Sequence, residues 1–111
     1  NTVDMLLWLN PIGIRGWNDS EAISFILENT RIPTGASSDA EIQYALIGAT
    51  KVAAEQGIWS GKVALRILNG ESPSNIPIKR NRHSQIYLNK KLSKRLGITF
   101  SAELLERGKV F

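Results

Sequence analysis

The one histidine, His83, is the side chain best suited to general base or metal chemistry near neutral pH. It stands in a basic stretch with no acidic neighbour to orient an imidazole, so it reads as a lone, exposed side chain. Zero cysteine removes a thiol nucleophile, a disulfide scaffold and the Cys-based zinc modules. There is no HExxH, no pair of histidines and no DxDxDG loop, so no metal ligand set is expected. The run Gly57-Ile-Trp-Ser-Gly61-Lys62-Val63 resembles a phosphate loop only faintly. Its glycines are wrongly spaced, and Val63 stands where a hydroxyl must reach Mg²⁺. Gly13 and Gly16 do not make GxGxxG, and Asn18-Asp19-Ser20 is a glycosylation sequon that a helix cap explains equally well. No catalytic constellation survives, and no cofactor or enzymatic activity is expected.

What remains is a positional signal. In open α/β sheets small molecules bind in the crevice beyond the carboxyl ends of the strands. Three apolar segments here end in small polar residues: Asn10 after Val3–Leu9, Ser37 after Ile32–Gly35, and Thr50 after Leu46–Ala49. Asp39 and Lys51 lie close by. Asn10, Ser37, Asp39 and Thr50 are therefore the candidate ligand-binding residues, able to orient a polar solute without reacting with it. The same residue types are also what any strand-end turn uses, so both readings stand at this point.

The elements that must position these residues follow from periodicity. Val3–Leu9 is apolar on both alternating faces, as a central strand covered on both sides would be. Asn18 with Glu21 predicts a capped helix to about Asn29, burying Ala22, Ile23, Ile26 and Leu27. Ile32–Gly35 and Ala45–Thr50 read as strands. Ala53–Leu68 is the strongest helix, with Trp59, Val63 and Ile67 four apart, closed by Asn69-Gly70. Residues 71–77 carry two prolines and read as an extended connector. Gln85–Leu88 is a brief strand. Asn89 caps a helix that Gly97 stops, and Ser101 caps a last one. The order β-α-β-β-α-β-α-α predicts an α/β fold with an at least partly parallel sheet.

The chain has 111 residues, 42% hydrophobic, which suits one globular core and excludes intrinsic disorder. The net charge is +4, but seven of the fourteen basic residues fall between 79 and 95, where there is no acid. The other 94 residues carry seven bases against ten acids. Tyr87 is the only aromatic in the basic run, so stacking platforms for nucleic acid are missing. The run reads as a solvated connector and the outer face of a helix, and no nucleic-acid partner is expected.

Two segments carry a resemblance. Trp59–Pro77 (WSGKVALRILNGESPSNIP) and Leu88–Leu105 (LNKKLSKRLGITFSAELL) resemble the C-terminal part of ABC-transporter solute-binding proteins, with Leu92 and Ser93 in place of small residues. Val3-Asp4 and Arg31-Ile32-Pro33 resemble strand starts of the second lobe. The resemblance implies a Rossmann-like lobe of the type 1 periplasmic-binding-protein fold, present as a C-terminal fragment. Residues 1–52 would form the strand and helix core of the second lobe, 53–70 a crossover helix of the absent lobe, and 71–111 the connector and C-terminal helices. It implies capture of a small polar solute, an amino acid or similar, in a periplasmic or extracytoplasmic setting (a lipoprotein anchor included), with delivery to an ABC permease. The alternative is the same fold as the ligand-sensing domain of a signalling or regulatory protein. A fragment whose partner lobe is missing is also expected to self-associate.

Overall fold

The computed structural model describes residues 3–111. Its elements are β1 (Leu6–Trp8), α1 (Asp19–Asn29), β2 (Thr34–Ala36), a 3-10 segment Asp39–Tyr44 and β3 (Ile47–Lys51). Then come α2 (Ala53–Leu68), a 3-10 turn Pro73–Asn75, β4 (Ser84–Leu88), α3 (Lys90–Leu96), α4 (Ala102–Arg107) and β5 (Gly108–Val110). The chain divides into two compact units: residues up to Thr50 together with Gln85–Phe111, and Lys51–Ser84.

The first unit holds a five-stranded sheet in the order β1-β2-β3-β4-β5. The pairs β1/β2, β2/β3 and β4/β5 are parallel, so the predicted α/β class holds. The Asn89 N–H donates to the Leu46 carbonyl at 2.9 Å, joining the end of β4 to the entry of β3. Only residues 37 to 46 separate β2 from β3, fewer than a full helical crossover needs. The chain makes the return with the 3-10 segment, which sequence periodicity does not reveal.

Ile26, Tyr44, Leu46 and Leu92 form the core, flanked by Trp8, Trp17, Ala22, Ile23, Leu27, Leu96, Ile98 and Phe100. The predicted caps are present. Asn18 Oδ1 accepts from the Ser20 and Glu21 amides at 3.0 and 3.2 Å. Glu21 answers to the Asn18 side-chain amide (3.2 Å) rather than to its backbone, a variant of the capping box. Asn89 Oδ1 accepts from Lys91 and Leu92, both at 3.1 Å, and Leu92 is fully buried below it. Gly97 ends α3 with φ +65°, a left-handed conformation that costs a side chain but not glycine.

The structure differs from the sequence reading at both ends of the sheet. Val3–Leu9 was expected as a central strand, but only Leu6–Trp8 is extended. It pairs with β2 alone among the described residues, leaving Leu6, Leu7 and Leu9 exposed. β5 was not expected. Three residues carry no usable alternation, and β5 is held by tertiary packing. A Cβ on Gly108 would lie 2.8 Å from the Leu104 carbonyl oxygen and from Leu88 Cδ1, so only glycine lets the chain pass there.

In the second unit α2 has the predicted limits but no fully buried side chain. The Arg66 guanidinium pairs with the Glu71 carboxylate just beyond the helix. Lys79 Nζ lies 4.3 Å from the Trp59 ring centroid. One sequence expectation is corrected here. His83 remains exposed, but it has an acidic neighbour: Glu55, 28 residues earlier, whose Oε2 is 3.4 Å from its Nδ1. That contact comes from folding the connector back on α2, which no local pattern encodes.

Candidate ligand site

At the carboxyl end of β1 the chain turns through residues 10–17 into α1, whose first residue is Asp19. The end of the 3-10 segment brings Tyr44 to the same place. Trp17 Nε1 donates to Asp19 Oδ1 at 2.8 Å and to the Tyr44 hydroxyl at 3.3 Å, and the Tyr44 hydroxyl donates to the Asp19 carboxylate. The rings stack around Tyr44: Trp8 tilted at 5.7 Å, Trp17 edge-on at 5.8 Å between centroids. Trp17, Asp19 and Tyr44 border a cavity of about 410 Å³, lined also by Asn10, Ile12 and Ile14 among others. Its volume lies within the usual range of small-ligand sites.

The electrostatics of the cluster are one-sided. The Tyr44 hydroxyl, and after it the Trp17 indole, hold the Asp19 carboxyl below its ordinary range. Burial, then the hydrogen bond to Asp19, pushes the Tyr44 phenol up. At neutral pH Asp19 is therefore an anion held by two neutral donors. No Lys, Arg or His among the described residues forms an ion pair with it. An anion beside aromatic faces can receive a cationic group from a ligand.

The four residues expected from sequence do not share one cavity. Asn10 lines the Asp19 cavity, where its Oδ1 accepts from the Ile12 amide at 2.7 Å, leaving its NH₂ group to donate. Asp39 lines a second cavity of about 590 Å³, walled by Ile23, Leu27, Ile42 and Phe111 and rimmed by Lys91 and Lys109. Ser37 is exposed at the end of β2 and lines neither cavity. Thr50 is 2% exposed and lines neither cavity. Trp17, Asp19 and Tyr44 were missed as site residues. Trp17 and Asp19 flank the Asn18 cap and were legible as helix-start chemistry, whereas Tyr44 lies 25 residues beyond Asp19. Among the described residues no cluster of three or more acidic or histidine side chains is placed to hold a metal.

The family model for ABC transporter substrate binding proteins matches residues 19–110. The chain belongs to this family. No curated protein matches it significantly in sequence. Solved structures similar to this family member include a "conserved domain protein" from Vibrio cholerae, with TM-score 0.60 and 19% identity over 82% of this chain and 32% of that one. A substrate-binding protein with adhesive properties from Clostridium difficile, in its ligand-free open form, has TM-score 0.59 and 27% identity over 83% of this chain and 32% of that one. An ABC domain from Streptococcus pneumoniae in complex with L-Trp has TM-score 0.57 and 24% identity over 73% and 29% respectively. The family member described here thus spans about a third of each.

Proposed function

We propose that this chain supplies one wall of the solute-binding cleft of an ABC transporter's extracytoplasmic binding protein, and that the bound solute passes to a permease. The family match over residues 19–110 carries the reading. The Asp19 cavity adds the chemistry. An anion with no cationic partner among the described residues, the Asn10 amide and two aromatic rings, Trp17 and Tyr44, suit a small solute that bears an ammonium group and an apolar body, such as an amino acid. The pneumococcal neighbour, solved with L-Trp, supports that class. Binding works by closure: a solute that touches two opposed walls stabilises the state in which they are together. No catalysis is part of this reading.

The test is calorimetric titration with a panel of amino acids, using a protein in which this chain faces its opposing lobe. Asn10→Ala removes the free NH₂ donor and should cost on the order of 1–3 kcal/mol, about five- to more than a hundredfold in affinity. Because Asn10 also holds the Ile12 amide, melting temperature is the folding check. Lys94→Ala, on the exposed side of α3, should leave affinity unchanged. The 111-residue chain alone should titrate flat, since one wall does not offset the association entropy. Micromolar binding by the chain alone, or a folded Asn10→Ala variant that binds like wild type, would refute the assignment.

A further inference from the structure

The second cavity, of about 590 Å³, lies wholly within the first unit and shares no lining residue with the Asp19 cavity. Its body is apolar: Ile23 and Leu27 from α1, Ile42 from the 3-10 segment, Tyr87 from β4, and Phe111. Phe111 is pinned there by its own backbone. Its N–H donates to the Leu88 carbonyl at 3.0 Å, and its carbonyl accepts from the Lys90 amide at 2.9 Å.

The polar groups around this body are mostly donors. Asn89 lines the cavity although it is only 4% exposed. Its Oδ1 is committed to capping α3 through the Lys91 and Leu92 amides, which fixes the orientation of the side-chain amide. The NH₂ group is what remains, and no described residue accepts from it. A nearly buried donor without an acceptor costs free energy until something takes its protons. Lys91 and Lys109 border the same cavity and form no ion pair among the described residues. Lys109 Nζ lies 5.8 Å from the Tyr87 ring centroid, which keeps that charge beside the apolar wall. Asp39 is the one acidic side chain in the lining, set against these two cations.

We propose that this cavity is a second ligand site, which takes a small monocarboxylate with an apolar body. The carboxylate accepts from the Asn89 NH₂ group and pairs with Lys91 and Lys109, while the body covers Ile23, Leu27 and Ile42. Asp39 disfavours a second negative charge on the ligand. The Asp19 cavity offers an anion and this one offers cations, so the two select opposite groups.

The probe is phenylbutyrate, titrated into the isotope-labelled 111-residue chain and followed by NMR. Saturable shifts are expected at the Asn89 side-chain amide and at the methyls of Ile23 and Ile42, with Kd in the millimolar range or tighter. The Trp17 indole N–H, at the Asp19 cavity, should not move. Phenylbutanol, with the same body and no charge, should bind roughly tenfold or more weakly, and phenylbutylamine more weakly still. Lys91→Ala/Lys109→Ala should reduce phenylbutyrate to the affinity of the alcohol. Lys62→Ala/Lys94→Ala removes the same charge outside the cavity lining and should leave Kd unchanged. Asn89→Asp keeps a capping oxygen but exchanges the donors for a carboxylate, so α3 should persist and phenylbutyrate binding should be lost. If Asn89→Asp unfolds, the two lysine pairs decide. No saturable shift at these nuclei, equal affinity for acid and alcohol, or tighter binding of the amine would overturn the proposal. So would an unmoved Kd in Lys91→Ala/Lys109→Ala, an equal loss in both lysine pairs, or shifts centred on Trp17.

Discussion

Asp19 and Tyr44 show how much one hydrogen bond decides at the residue scale. The Tyr44 hydroxyl is the main cause of the depressed Asp19 carboxyl, so Tyr44→Phe tests the cluster directly. A carboxyl whose folded pKa lies below its unfolded value contributes stability above the unfolded value, near pH 4. That contribution is lost as pH falls through the folded value. Tyr44→Phe should therefore lower Tm at pH 7, and the gap to wild type should narrow below about pH 4. Thermal melts from pH 7 to pH 2 check the sign and the pH window. Glu41 is the opposite case. It is 2% exposed; Ser38 donates to its Oε2, and its Oε1 has no partner among the described residues. A buried carboxylate with an unpaired oxygen costs free energy. Glu41→Gln keeps the shape and removes the charge, so it should hold or raise Tm, whereas a drop of several degrees would contradict this account.

At the scale of elements, α3 and β5 depend on different kinds of information. The α3 cap rests on Asn89 meeting the amides two and three residues on, a local geometry legible in sequence. Asn89→Ala should cost about 0.5–2 kcal/mol in urea denaturation. β5 rests on Gly108 passing under Leu104 and beside Leu88, contacts that no local rule describes. Gly108→Ala should cost about 1–3 kcal/mol through overlap rather than backbone strain, since its φ is −98°. The 3-10 segment belongs with β5: it exists because two parallel strands had to be joined in few residues. Helices α1, α2 and α3 were readable to within a residue because their period and caps are local.

At the scale of the molecule, apolar surface is left in water in each unit. Leu7 and Leu9 on and beside β1 are 55% and 71% exposed, and Leu65 and Leu68 on α2 are 62% and 81% exposed. Covering each such side chain is worth roughly 1.5–3 kcal/mol. The chain alone is therefore expected to self-associate. Small-angle scattering over a concentration series checks this, and a monodisperse monomer at millimolar concentration would contradict it.

The amino-acid order by itself determined the α/β class, the helix limits, the absence of cysteine chemistry and the family resemblance, because periods, caps and motifs are written between near neighbours. It also placed Asn10 at a strand end where the Asp19 cavity opens. Only the tertiary structure decided that β1 is an edge strand, that Thr50 is enclosed, and that Asp39 faces a different cavity from Asn10. It alone joined Asp19 to Tyr44 and Glu55 to His83, across 25 and 28 residues. Such pairs are set by how the elements pack, and packing depends on side-chain volume and the closure of loops summed over the whole chain rather than on any local spacing.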